Sequence, residues 1–156
     1  MIRVTAKVVQ NIFEVKVGTQ VWTARPVIHG THPIGRRLQA LFSTVYTTHT
    51  LEAPEKVEST VSYHAKKDEI WIQVGEEKWR TRSSLFGPVT FSYGDNDYTI
   101  VEKLIGRFII LRAGQPVTQG EIGFRTITMK EYPPELERFL THLAVGYLIR
   151  TLAWPA

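Results

Sequence analysis

The stretch PPELERFLTHLAVGYLIRTLAW, Pro133 to Trp154, decides how the rest of the chain is read. It opens as a helix does. Pro133 and Pro134 suit the start and first turn, where a missing N–H costs nothing. Glu135 and Glu137 put negative charge at the positive end of the helix dipole, and Arg150 puts positive charge near the other end. Beyond Phe139 the polar residues thin out to Thr141, His142, Arg150 and Thr151. Leu143, Ala144, Val145, Gly146, Tyr147, Leu148 and Ile149 cover every direction around the axis. A helix apolar all round is either enclosed by protein or inserted in lipid. The sixteen residues from Phe139 to Trp154 fall short of the roughly 20 that span a bilayer, and His142 and Arg150 lie among them. The expectation is therefore a helix over residues 134–153, enclosed by its own chain.

What precedes it reads as strands. Residues 2–10 alternate, with Ile2, Val4, Ala6 and Val8 on one face and Arg3, Thr5 and Lys7 on the other, as a half-buried strand does. IFEVKV, residues 12–17, follows, and Gly18-Thr19 turns it into a strand over 20–24. Residues 25–37, RPVIHGTHPIGRR, hold two prolines and two glycines and read as a loop. Residues 38–50 read as a long strand. Further strands are expected at 56–64, 70–74, 78–82, 88–93, 98–104, 107–112, 116–122 and 125–131. Turn signals such as Gly94-Asp95-Asn96-Asp97 and Ala113-Gly114 separate them.

About twelve short strands at this spacing indicate a barrel or sandwich. No linker or composition break divides them, so residues 1–156 form one domain. A barrel of about twelve strands has an interior too wide for small side chains to fill. An apolar helix of about 30 Å, at 1.5 Å per residue, fills it. The expected fold is mainly β: a closed antiparallel barrel over residues 2–131 around a central hydrophobic C-terminal helix.

Composition narrows the function classes. Apolar residues at 43% and charged residues at 22% are ordinary for a globular domain. The chain has no cysteine, which removes disulfides, thiolate zinc sites and thiol catalysis and suits a reducing compartment. MIRVTAKVVQ at the N-terminus alternates and lacks a signal-peptide run, so the expected location is cytoplasmic, with peripheral contact at a membrane. A net charge of +4 favours an acidic partner such as anionic lipid or nucleic acid.

Catalytic patterns are missing from the sequence. There is no G-x-S-x-G around Ser83-Ser84, no G-x-G-x-x-G and no phosphate-binding loop. His29 and His32 lack the third ligand a metal needs, and Asp95-Asn96-Asp97 does not follow a calcium-loop spacing. Glu76-Glu77 and Glu135 with Glu137 fall at a turn and a helix start, where charge has structural uses. His142 reads as a packed or hydrogen-bonded core histidine. Trp71 and Trp79 among Arg80 and Arg82 imitate a base-stacking platform, but barrel core or wall explains them more simply. A non-enzymatic protein without cofactor or metal is expected, and nucleic acid is not favoured as partner.

YTIVEKLIGRFIILRAGQPVTQGEIGF (98–124), followed by PPELERFLTHLAVGYLI (133–149), is the passage most similar to the tubby-like superfamily. That group includes tubby C-terminal domains, LURP-one-related proteins and phospholipid scramblases. The resemblance covers nearly the whole chain, as architecture. It implies a closed twelve-stranded barrel around a hydrophobic helix. It also implies binding of phosphoinositide headgroups through surface Lys and Arg, with a Lys-x-Arg pair on one strand. The chain lacks the cysteine-rich segment and proline-rich tail of scramblases, so calcium-driven scrambling is not implied.

Lys78-Trp79-Arg80-Thr81-Arg82 matches that pair. On a strand, cations two apart point to one side. A guanidinium fork and an ammonium point charge together suit a phosphate. Arg36, Arg37, Lys66 and Lys67, from loops, are further candidates for the same site. The function expected is a binding protein for an anionic phospholipid or phosphoinositide-like headgroup, or for a protein partner. The alternative is a carrier of an apolar small molecule in a helix-grip or lipocalin-like cavity. That alternative needs polar residues facing an empty interior, and the all-apolar helix argues against it.

Overall fold

The computed structural model of the chain describes residues 1–7, 9–26, 47–52, 59–83, 88–103 and 106–153. The strands are β1 (Ile2–Lys7), β2 (Ile12–Val17), β3 (Gln20–Pro26), β4 (Thr47–Glu52), β5 (Ser59–His64) and β6 (Glu69–Val74). They continue as β7 (Glu77–Arg80), β8 (Val89–Tyr93), β9 (Asn96–Lys103), β10 (Arg107–Arg112), β11 (Gln115–Gly123) and β12 (Thr126–Met129). A 3-10 turn, Pro134–Leu136, leads into helix α1, Glu137–Ala153.

All pairs are antiparallel, in the order β7-β6-β5-β4-β3-β2-β1-β12-β11-β10-β9-β8. The N-terminal strand thus pairs with the last one, Ile2 opposite Met129. Among the described residues the two ends of the sheet, β7 and β8, meet at one bridge, where Arg82 and Thr90 exchange N–H···O=C bonds of 2.7 and 2.9 Å. The result is a nearly closed twelve-stranded barrel.

Strand alternation decides what the barrel holds. Ile2 and Val4, Val15 and Val17, Ile70 and Ile72, Phe108 and Ile110, and Ile127 and Met129 all point inward and are buried. α1 occupies the axis they surround. Phe139, Leu140, Leu143, Ala144, Val145 and Leu148 are fully buried on what would otherwise be every side of an exposed helix. Two glycines make the fit possible. A Cβ on Gly146 would collide with the Ile70 side chain, so its absence brings α1 against β6. A Cβ on Gly120 would collide with the Phe108 ring, which lies over that gap and stacks on Tyr147 of α1 at 4.9 Å.

The barrel has two rims. Turns at 9–11, 65–68 and 124–125 mark the upper rim; turns at 18–19, 75–76, 94–95 and 113–114 mark the lower one. α1 starts at the lower rim and ends at the upper, where Arg150 is bound. Arg150 Nε donates to Asp68 Oδ1 at 2.8 Å, and Arg150 Nη1 donates to Glu102 Oε1 at 2.8 Å. Tyr63 Oη also donates to Asp68 Oδ1, at 2.7 Å. At the helix start, Tyr132 Oη donates to Glu137 Oε2 at 2.8 Å.

The structure corrects several boundaries. β1 ends at Lys7, and residues 9–11 are a turn, where alternation alone continued the strand to residue 10. Asn11 takes a left-handed φ of 54°, which Asn tolerates, and the reversal sets Ile12 opposite Lys7. The turn expected over 94–97 tightens to Gly94-Asp95, and Asn96 and Asp97 join β9. Residues 27–46, with His29, His32, Arg36, Arg37 and most of the strand expected at 38–50, lie outside the described residues. Among the described residues no helix is long and apolar enough to cross a membrane.

Candidate functional site

β7 is held from both of its neighbours in sequence. Trp79 turns inward and meets the edge of Phe139 at 5.8 Å and the Tyr93 ring at 5.4 Å. Thr81 is buried, and its Oγ1 accepts the Ile70 N–H at 2.9 Å while its own N–H donates to the Ile70 carbonyl at 2.9 Å. With these two side chains inside, Lys78, Arg80 and Arg82 must face out, and all three are exposed. The expected cation row is therefore present on one side of the strand and its extension.

Register supplies the neighbours. Arg80 lies opposite Trp71 and Lys78 opposite Gln73 on β6. The Arg80 guanidinium carbon stands 5.7 Å from the Trp71 ring centroid, and His64 of β5 stacks on the same indole at 4.0 Å. Trp71 Nε1 donates to Glu69 Oε1 at 3.2 Å, fixing the ring. Burial holds the His64 imidazole below its ordinary value; the Glu69 charge pulls up and the Lys67 charge pushes down. The balance favours the neutral ring.

These groups line a surface groove of about 1040 Å³ that crosses the β7–β8 junction. One wall is Lys78, Arg80 and Arg82 with Trp71 and His64; the other is Thr90, Ser92, Asp97 and Thr99. Ser92 Oγ donates to Asp97 Oδ1 at 2.6 Å. The groove is therefore polarised: cations and an aromatic ring on one side, hydroxyls and a single carboxylate on the other. The positive charge of the groove lies on the β7 side, with Asp97 across the gap.

Lys66 and Lys67 are exposed in the turn between β5 and β6, and they do not line the groove. Arg36 and Arg37 lie outside the described residues. Sequence reasoning did not find His64, Ser92 or Asp97. The alternation of STVSYH does show that His64 shares an outward face with Thr60 and Ser62, but only the strand order shows which strands neighbour β7.

Two other polar features sit in or near the core. His142 is 1% exposed, and its Nδ1–H donates to the Arg138 carbonyl at 2.6 Å. Burial drives its pKa down to about 4, the bond to Arg138 opposing and the Arg138 charge adding. Asp68, at the upper rim, feels burial pushing its carboxyl up, but the hydrogen bonds from Arg150 and Tyr63 and the Arg150 charge outweigh that and hold it below 3.8. Among the described residues no group of three His, Cys, Asp or Glu is arranged to hold a metal ion.

No family model matches this chain, and no curated protein and no solved structure matches it.

Proposed function

We propose that the protein is a non-enzymatic binding protein of tubby-like type that takes an anionic phospholipid headgroup in the β7 groove. The observation that carries this is the convergence of Lys78, Arg80 and Arg82 on one wall of a groove, beside the Trp71 ring. The phosphate sits against the guanidinium groups of Arg80 and Arg82, with the Lys78 ammonium as a third charge. The headgroup's hydroxyls face Ser92, Thr90 and Thr99 across the groove. Such binding is peripheral: the cations reach the lipid surface while the barrel keeps its own core.

A carrier of an apolar small molecule needs space along the barrel axis, and Leu140, Leu143, Ala144 and Leu148 occupy that axis at 0% exposure.

The test is co-sedimentation with vesicles of phosphatidylcholine alone or containing phosphatidylserine or a phosphoinositide, at low and high salt. Binding to the anionic vesicles only, weakened by salt, is expected, because the contact is between charges. Replacing Lys78, Arg80 and Arg82 with Ser should cut that binding at least tenfold and leave the thermal unfolding transition unchanged. Unaltered binding by the triple variant removes the groove from consideration.

A further inference from the structure

The two rims of the barrel are built from different turn chemistry. At the lower rim the turns are Gly18-Thr19, Gly75-Glu76, Gly94-Asp95 and Ala113-Gly114. Each places a glycine at positive φ, the ordinary solution for a hairpin. The upper rim keeps a glycine at positive φ at Gly106, but its other turns place Asn11, Asp68 and Arg125 in that conformation. Its turns at 9–11 and 124–125 carry Val9 and Phe124, which are 101% and 86% exposed. No other large apolar side chain among the described residues exceeds 57%.

These two tips are neighbours. β1 pairs with both β2 and β12, so the β1–β2 turn and the β11–β12 turn stand side by side. The Ala6 N–H donates to the Arg125 carbonyl at 2.9 Å and ties them together. Arg125 holds φ at 57°, a left-handed conformation that glycine adopts without strain and a long L side chain does not. Its guanidinium lies 4.7 Å over the Phe124 ring. Arg125 thus occupies a conformation for which each lower-rim turn uses a glycine.

The surrounding charge is positive. Lys7, Lys103, Arg107 and Arg125 are exposed near these tips. Of the nearby carboxylates, Glu102 is paired with Arg150, and Glu121 lies opposite Arg107. Among the described residues the lower-rim turns carry Glu76 and Asp95 and no apolar side chain as exposed as Val9 or Phe124.

We propose that the upper rim is the surface by which the barrel enters an anionic lipid bilayer. Val9 and Phe124 pass into the boundary between headgroups and acyl chains, and Lys7 and Arg125 remain at the phosphates. Two protruding tips suit a fluid bilayer that closes around them. A folded partner needs a contiguous patch of roughly 1,000 Å² or more, which these two adjacent tips do not supply among the described residues. The β1 and β12 strands stand in the middle of the strand order and the groove strands β7 and β8 at its ends, so the tips lie across the barrel from the groove. The inference does not rest on the headgroup site.

The absence of cysteine makes the test direct. Gln10→Cys, beside Val9, and Thr19→Cys, on the lower rim, each take one environment-sensitive fluorophore on the full chain. Vesicles of phosphatidylcholine with phosphatidylserine should blue-shift the Gln10→Cys label and shield it from iodide, leaving the Thr19→Cys label unchanged. Val9→Ser with Phe124→Ser should weaken co-sedimentation at least tenfold, since each tip loses its apolar burial. The Lys78, Arg80 and Arg82 triple variant should still show the Gln10→Cys shift at high protein concentration, which separates rim from groove. Equal responses from both labels, no response from either, or undiminished binding by the Val9→Ser, Phe124→Ser double variant overturns the proposal. So does a sedimentation-velocity change in that double variant from dimer to monomer, which makes the rim a contact between copies of this chain.

Discussion

At the residue scale, His142 shows how enclosure changes chemistry. Its ring sits in the wall of α1 at 1% exposure, with the edge of the Trp22 indole at 6.0 Å. Because the Arg138 carbonyl accepts at Nδ1, the proton of the neutral ring is on Nδ1 and Nε2 keeps a lone pair. Nε2 has no hydrogen-bond partner among the described residues. A second proton would put an unsolvated N–H and a charge there, which is why burial brings the pKa down to about 4 from 6.5. In the unfolded chain the ring titrates near 6.5, so the unfolded state takes up the proton first as pH falls. The His142 contribution is fully present above pH 6.5 and is lost progressively toward pH 4. At about 1.4 kcal/mol per pH unit, the loss between pH 7.5 and pH 5 is about 2 kcal/mol. Urea unfolding at those two values should show this for the parent chain, and His142→Gln should remove most of the difference. Equal pH dependence in both proteins would mean that His142 titrates normally. The core position of this histidine was legible in the sequence, because a lone imidazole inside an apolar run has no wet face. Its Trp22 neighbour was not, since that depends on where β3 stands around the barrel.

At the element scale, α1 is fastened more than it is merely packed. Arg150 lies in its last turn, where a cation also suits the dipole, and holds Asp68 of the β5–β6 turn and Glu102 of β9. Asp68 is itself held by Tyr63, and Ser83 Oγ donates to the Asp68 carbonyl at 2.6 Å. The helix end is thus tied to the turn between β5 and β6, to the end of β9 and to the segment after β7. Arg150→Met keeps the length and loses the fork. It should cost about 1–2 kcal/mol at pH 7 in chemical denaturation, since both carboxylates keep contact with water. Asp68 is held below its ordinary 3.8, so its share is present above that value and lost as pH falls below it. The gap between parent and variant should accordingly narrow in acid; a gap that stays constant down to pH 3 would assign the effect to lost packing. The helix was readable from its composition and the strands from their period of two, because those patterns are local. IFEVKV alternates and β2 follows it, while RFIILR is a short apolar run between turn signals and becomes β10. The groove and the rims were not readable, because they depend on which strands become neighbours. Lys78, Arg80 and Arg82 were recognisable as a row, whereas His64, Ser92 and Asp97 join them only once β5, β8 and β9 curve around the same helix.

At the scale of the whole molecule, barrel and helix are each incomplete alone. Twelve strands closed on themselves surround more space than their own inward side chains fill, and the barrel wall supplies many small ones, such as Val4, Val15, Ala24 and Gly120. α1 alone would expose apolar side chains in every direction. The aromatic contacts run through the joint between them: Phe139 stacks on Phe91 at 4.7 Å beside the β7–β8 junction, and Tyr147 stacks on Phe108 across the axis. Among the described residues that junction has one bridge, at Arg82 and Thr90, and Phe139 packs behind it on Trp79 and Tyr93. Folding must therefore be all-or-none between strands and helix, since neither can bury its apolar surface first. Residues 1–131 expressed without the helix should show no cooperative thermal transition and should bind a hydrophobic dye. Supplying residues 132–156 as a separate peptide should restore both the transition and the near-ultraviolet signal of the packed aromatic rings. A sharp, dye-free transition from residues 1–131 alone would mean that the wall closes without its core, and that the helix is an addition to the barrel instead of its filling.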